Sequence, residues 1–145
     1  MTSQTQTTRS PKGQEKHNRM VEAVAKELVR KGFLIKADSI EWSDGVPPVL
    51  GENFKPDIIA FKDSIFHIIE VETCSTFQSA ETAHQLQIFS GKGKTTVIVP
   101  TVCRSRTDLV LKMRESLREW GLQSVKIGTC DPATGKVELP REMDA

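Results

Sequence analysis

Residues 55–73 read Lys-Pro-Asp-Ile-Ile-Ala-Phe-Lys-Asp-Ser-Ile-Phe-His-Ile-Ile-Glu-Val-Glu-Thr. Two apolar runs, 57–61 and 65–72, flank Lys62-Asp63-Ser64, and this spacing predicts a β-hairpin turned at those three residues. Residues two apart in a strand share a face. Glu70 and Glu72 therefore project together from the end of an otherwise apolar strand. In a hairpin, the start of the first strand lies beside the end of the second, so Asp57 meets both glutamates. Three carboxylates crowded at one end of a buried sheet repel each other. A divalent cation relieves that repulsion, and hard oxygen ligands suit Mg²⁺ or Mn²⁺.

Around this hairpin the chain alternates helical and extended patterns. Residues 15–31 carry Val21, Val24, Ala25, Leu28 and Val29 at helical spacing, with Gly32 as the stop. A strand follows at 33–37, with Ile40-Glu41-Trp42 as its expected continuation. Residues 43–55, with Gly45, Pro47, Pro48 and Gly51, read as a loop. Downstream, 79–89 reads as a helix burying Ala80, Ala83, Leu86 and Ile88, and 95–99 as a strand. A helix follows, capped by Thr107-Asp108 and ended by Gly121, then short strands near 125–127 and 137–139. Residues 1–13 are rich in Thr, Ser and Gln without apolar periodicity, and are expected to form a disordered tail. Residues 14–145 are expected to form a single α/β domain, a mixed central sheet flanked by helices in three layers.

Each acid also has a bland reading. Asp57 follows a proline, which suits a strand start and would let it serve as a turn cap. It opens an apolar run, however, where an acid is an awkward structural choice. Glu70 interrupts Ile68-Ile69-x-Val71, and a carboxylate there is costly unless paired or metal-bound. No lysine lies between residues 63 and 91 to pair with it locally.

The order of Pro56-Asp57, a hydrophobic strand and Glu70-Val71-Glu72 resembles the PD-(D/E)xK nuclease superfamily, the fold of many restriction endonucleases and archaeal Holliday-junction resolvases. The helix from His17 to Lys31 running into Gly32-Phe33-Leu34-Ile35 is similar to the opening of those resolvases. The likeness spans roughly residues 15 to 100. It implies a restriction endonuclease-like αβββαβ core and a metal-dependent endonuclease acting on DNA, with a homodimer by analogy. Asp57 and Glu70 would hold Mg²⁺ or Mn²⁺, and a first-helix acid would assist them. Glu22 is the first choice for that acid, with Glu15 and Glu27 as rivals. Glu72 stands where the family usually has lysine, as in the Glu-x-Glu of some restriction enzymes, and would act as ligand or base. Gln85, four residues before Phe89, resembles the Gln-x-x-x-Tyr element of the exonuclease branch, with His84 and Gln87 as alternatives. Lys92, Lys94, Arg104 and Arg106 would hold the nucleic-acid backbone. The competing reading is a catalytically silent binding module on the same fold, to which loss of the usual lysine points.

Composition is compatible with either. The chain has 145 residues and net charge +1, with ordinary apolar and charged fractions. Its charge is blocked: residues 1–36 hold eight basic against three acidic residues (+5), 37–85 two against nine (−7), and 86–126 eight against three (+5). An acidic centre with basic flanks suits a metal ringed by phosphate contacts, though solvated helix faces produce such blocks too. No apolar run reaches membrane-spanning length and no signal-like segment opens the chain, so a cytoplasmic protein is expected. Cys74, Cys103 and Cys130 lack CxxC spacing, which points away from disulfides and zinc; Cys74 is expected to pack as a small hydrophobe. Gly91-Lys-Gly-Lys-Thr95 is not a P-loop: Ile88 takes the first glycine position, and the order is helix into strand.

Overall fold

The computed structural model describes residues 10–144. Helix α1 (Pro11–Arg30) begins where Ser10 Oγ accepts the Gly13 N–H at 3.0 Å, with Pro11 in the first turn. The helix therefore claims residues 11–13, which composition assigns to the tail; residues 1–9 lie outside the described residues. Its buried stripe is His17, Met20, Val21, Val24, Ala25 and Leu28. Val29, expected on that stripe, is exposed because it sits one position past Leu28. At the C-terminus the Phe33 N–H reaches Leu28 O and the Gly32 N–H reaches Val29 O, with Gly32 at φ +96°. Such a left-handed stop strongly favours glycine.

Strands β1 (Leu34–Ala37), β2 (Ile58–Lys62) and β3 (Ile65–Val71) form an antiparallel meander. Lys62 pairs with Ile65, and Asp63 and Ser64 both take positive φ, 53° and 65°. This is the tight hairpin turn expected from the sequence. Residues 40–42 lie outside any strand, and Ile40 and Trp42 pack against the core from the loop.

Helix α2 (Ala80–Ser90) follows, capped by Ser79 Oγ on the Thr82 N–H. It leads into β4 (Lys94–Pro100), which runs parallel to β3. Helix α2 buries Thr82, Leu86 and Phe89, whereas Ala80 is exposed. Helix α3 (Leu109–Glu119) leads to β5 (Lys126–Cys130), parallel to β4. Asp108 occupies the α3 cap position, but its carboxylate accepts from Arg106 Nε instead of capping. Gly121, at φ +73°, ends α3 with the same pair of bonds that ends α1. A short β6 (Val137–Glu138) and a terminal turn of helix, α4 (Arg141–Asp144), complete the order; α4 is too short to leave a periodic signal in the sequence.

The six strands lie in chain order across one mixed sheet. Alternation sends Ile69, Val71 and Ile98 to the side of α1, where they pack with Met20, Val24 and Leu28. It sends Val97 and Val99 to the side of α3, against Met113 and Leu117, and Ile68 against Phe89 of α2. Helices thus cover both faces, and each fully buried Leu or Ile contributes about 1.5–3 kcal/mol. Glycine at 128 is required by packing: a Cβ there would stand 2.7 Å from Ile98 Cδ1 and 2.8 Å from Glu138 O.

The cysteines depart from expectation. Cys74, just past β3, and Cys103, just past β4, are joined by a disulfide, and Cys74 is exposed. Parallel pairing sets the ends of β3 and β4 side by side, bringing together two residues 29 apart in sequence. Only Cys130 behaves as a buried hydrophobe, and burial pushes its thiol up to about 11.

Candidate active site

The acids of 55–73 come together at one end of the sheet. Ile58 pairs with Ile69, so Asp57 falls opposite Glu70 just beyond the last paired residues. The two are tied reciprocally: Asp57 N–H donates to Glu70 Oε1 at 2.9 Å, and Val71 N–H donates to Asp57 Oδ2 at 2.8 Å. Both side chains thereby replace ladder hydrogen bonds that the sheet cannot make at its frayed end. Asp57 and Glu70 are buried, at 9% and 5% exposure.

The first helix contributes a histidine to this pair. His17 Nε2 lies 3.2 Å from Asp57 Oδ2, at 2% exposure. Glu22 is five residues further along α1, about 140° round the helix. It is exposed and pairs with Lys26 at 3.2 Å, so it does not join Asp57 and Glu70. Glu27 pairs with Arg30 on the surface, and Glu15 is exposed. His17 was legible only as part of the helix. Its sole sequence signal was a histidine four residues ahead of Val21 on the apolar stripe.

Glu72 shares the Glu70 face but turns toward α2. The Thr82 hydroxyl lies 3.1 Å from Glu72 Oε1 and 2.7 Å from Thr76 O, and shares its one proton between them. Ser79 Oγ donates to Thr82 Oγ1, so the α2 cap and Glu72 belong to one network. Glu72 is as buried as the core, at 2% exposure.

Gln85 is half-buried, about one turn along α2 from Thr82. His84 instead pairs with Glu52 at 2.9 Å, and Gln87 is exposed. Phe89 is core, which accounts for a phenylalanine where a tyrosine hydroxyl would be buried.

The four basic residues divide. Lys92 lies ten residues past Thr82 on α2 and its following turn, ~15 Å away. Lys94 pairs with His67, three residues before Glu70 on β3, ~10 Å from it. Both stand at the opposite end of the sheet from the carboxylates. Arg104 and Arg106 lie in the loop after β4, at the carboxylate end, exposed and beside the disulfide. Arg106 holds Asp108 at 3.3 Å, and this hydrogen bond draws the Asp108 carboxyl below its usual range.

Among the described residues, no group of three or more His, Cys, Asp or Glu side chains is arranged to hold a metal ion. Asp57 and Glu70 are thus joined by His17, and Glu72, two residues from Glu70, accepts from Thr82. Two adjacent buried carboxylates still fit Mg²⁺, which keeps several waters and commonly takes one or two carboxylates plus substrate phosphates.

No family model matches the chain, and no curated protein is similar to it in sequence. Among the described residues, no helix is long and apolar enough to cross a membrane.

Proposed function

We propose that this chain is a metal-dependent nuclease of the restriction endonuclease-like class, hydrolysing phosphodiester bonds in DNA as an endonuclease. The observation that carries the reading is the Asp57–Glu70 pair, buried and mutually tied at the end of β3. The element order α1-β1-β2-β3-α2-β4 supports it as well. Asp57 and Glu70 would hold Mg²⁺ or Mn²⁺, whose chemistry is to polarise the phosphate and lower the pKa of bound water. His17 orients Asp57 from the α1 side. Glu72, at the usual lysine position, positions water or adds a ligand on leaving Thr82. The positive charge that lysine would bring falls to Arg104 and Arg106, since Lys92 and Lys94 are out of reach. A homodimer belongs to the same reading, by likeness to the resolvases, and sedimentation velocity tests it.

A second reading, a catalytically silent binding module, is favoured by one observation: Glu72, at the usual lysine position, is buried against Thr82. A cleavage panel separates the two. Supercoiled, linear, single-stranded and four-way-junction DNA are incubated with Mg²⁺, Mn²⁺ or EDTA. The nuclease cuts at least one substrate with metal and none with EDTA, and Glu72→Gln cuts far more slowly. Metal binding by calorimetry with no cleavage of any substrate decides for the silent module, as does cleavage by Glu72→Lys alone.

A further inference from the structure

A second polar feature lies on the far side of the sheet from Asp57 and owes nothing to it. Strand β6 pairs with β5 only at Thr129 and Cys130, so β5 from Lys126 to Gly128 has no strand beside it on that edge among the described residues. Along this open edge runs a cleft of about 440 Å³ between α3, β5 and the start of α4. Leu117, Val125, Ile127 and Pro140 line its apolar part, and Arg114, Arg118, Lys126 and Arg141 its charged part. No acidic residue lines it among the described residues. Arg114 and Arg118 are one helical turn apart on α3, each next in sequence to a buried residue, Met113 or Leu117.

Among the described residues none of the four cations is ion-paired. Lys26, Arg30, Arg106 and Lys112, which are ion-paired, do not line the cleft. Lys126 also lines an adjoining cleft, where Lys94 and Glu142 meet it, so the acid-free lining is that of the first cleft. Four like charges drawn from three elements into one cleft repel each other, and a polyanion relieves that repulsion. Arginine's planar fork matches phosphate oxygens bidentately. The cleft is a surface cleft and not an enclosed cavity, which suits a chain of phosphates better than one buried anion.

We propose that this cleft binds the phosphate backbone of a nucleic acid through Arg114, Arg118, Lys126 and Arg141. The test is fluorescence anisotropy with labelled single- and double-stranded oligonucleotides over a salt series. EDTA is present throughout, so that cleavage plays no part. Each phosphate that the protein no longer neutralises lowers the slope of log affinity against log salt by about 0.7–0.9. The Arg114→Ala/Arg118→Ala variant should thus lose roughly 1.5 from that slope and about tenfold or more in affinity. Arg114→Lys/Arg118→Lys should keep the slope, and Lys26→Ala, on α1, should change neither quantity. Binding is read without metal and without cleavage, so a protein that never cuts DNA leaves this proposal standing.

Wild-type affinity and slope in the alanine pair overturn it. Aggregation of that pair with unchanged oligonucleotide affinity also overturns it, showing that the cations merely guard an open strand edge. A wild type that binds no oligonucleotide overturns it too; inorganic phosphate shifting the cleft's amide resonances would then mark a small-anion site.

Discussion

Asp57 Oδ2 holds the Val71 N–H, so replacing Asp57 removes an acceptor as well as a charge. Relief of carboxylate repulsion alone would leave the alanine variants as stable as wild type. The reciprocal bonds argue otherwise, because alanine at Asp57 or Glu70 strands a buried N–H at a cost of about 1–3 kcal/mol. Asp57→Asn keeps an oxygen for Val71 and removes the charge. We expect urea unfolding to show Asp57→Ala clearly destabilised and Asp57→Asn near wild type, with both inactive in metal-dependent cleavage. Full cleavage by Asp57→Asn would remove Asp57 from the metal site. His67 offers a test by pH. It packs edge-on to Phe33, its Nδ1 is buried without a partner among the described residues, and burial lowers its pKa from 6.5. Glu142 opposes that shift and Lys94 adds to it. Below about pH 6.5 the unfolded chain takes up a proton that the folded one refuses, so stability falls on acidification. His67→Phe should remove that part of the slope in melts between about pH 5 and 7, and an unchanged slope would assign it to other groups.

At the scale of elements, the β2–β3 hairpin carries the site, because its register places Asp57 opposite Glu70. Its turn nevertheless uses two residues that tolerate positive φ unequally. Asp63 does so readily, whereas Ser64 at φ 65° carries a steric cost of about 1 kcal/mol that glycine avoids. Ser64→Gly should raise stability by roughly 0.5–1 kcal/mol in urea titrations while leaving the site intact. A loss of stability would mean that the turn departs from the two-residue form. The same register explains why Lys92 and Lys94 miss the acids. A helix and a parallel strand each travel the length of the sheet, so the turn between them lies at the end remote from Glu70. That their separation in sequence from Glu72 is modest says nothing of this; the direction of β4 decides it.

Across the whole molecule, the disulfide fastens the loop after β3 to the loop after β4, beside both Glu72 and the arginines of 104–106. Closing a loop of this size contributes about 2–4 kcal/mol, chiefly by restricting the unfolded chain. Reduction, or Cys74→Ser, should therefore lower the melting temperature markedly and free the loop bearing Arg104 and Arg106. Identical melts with and without reductant, together with two titratable thiols in the native protein, would show the bond unformed in solution.

Local pattern specifies α1 to α3, the main strands and the hairpin, but not α4 or the end of β1. Their signals are short-range: Gly32 and Gly121 stop helices, and an apolar run marks β3. The acids of 57, 70 and 72 were legible for the same reason, since each interrupts or ends an apolar run. Tertiary packing supplies their further partners. Glu72, two residues from Glu70, accepts from Thr82 on α2. His17 reaches Asp57 only because α1 crosses the end of β2 and β3, and no spacing within either segment encodes that approach. The same holds for Cys74 with Cys103 and for the four cations of the β5 edge. These groups come from different elements, and the packing of sheet and helices brings them within reach.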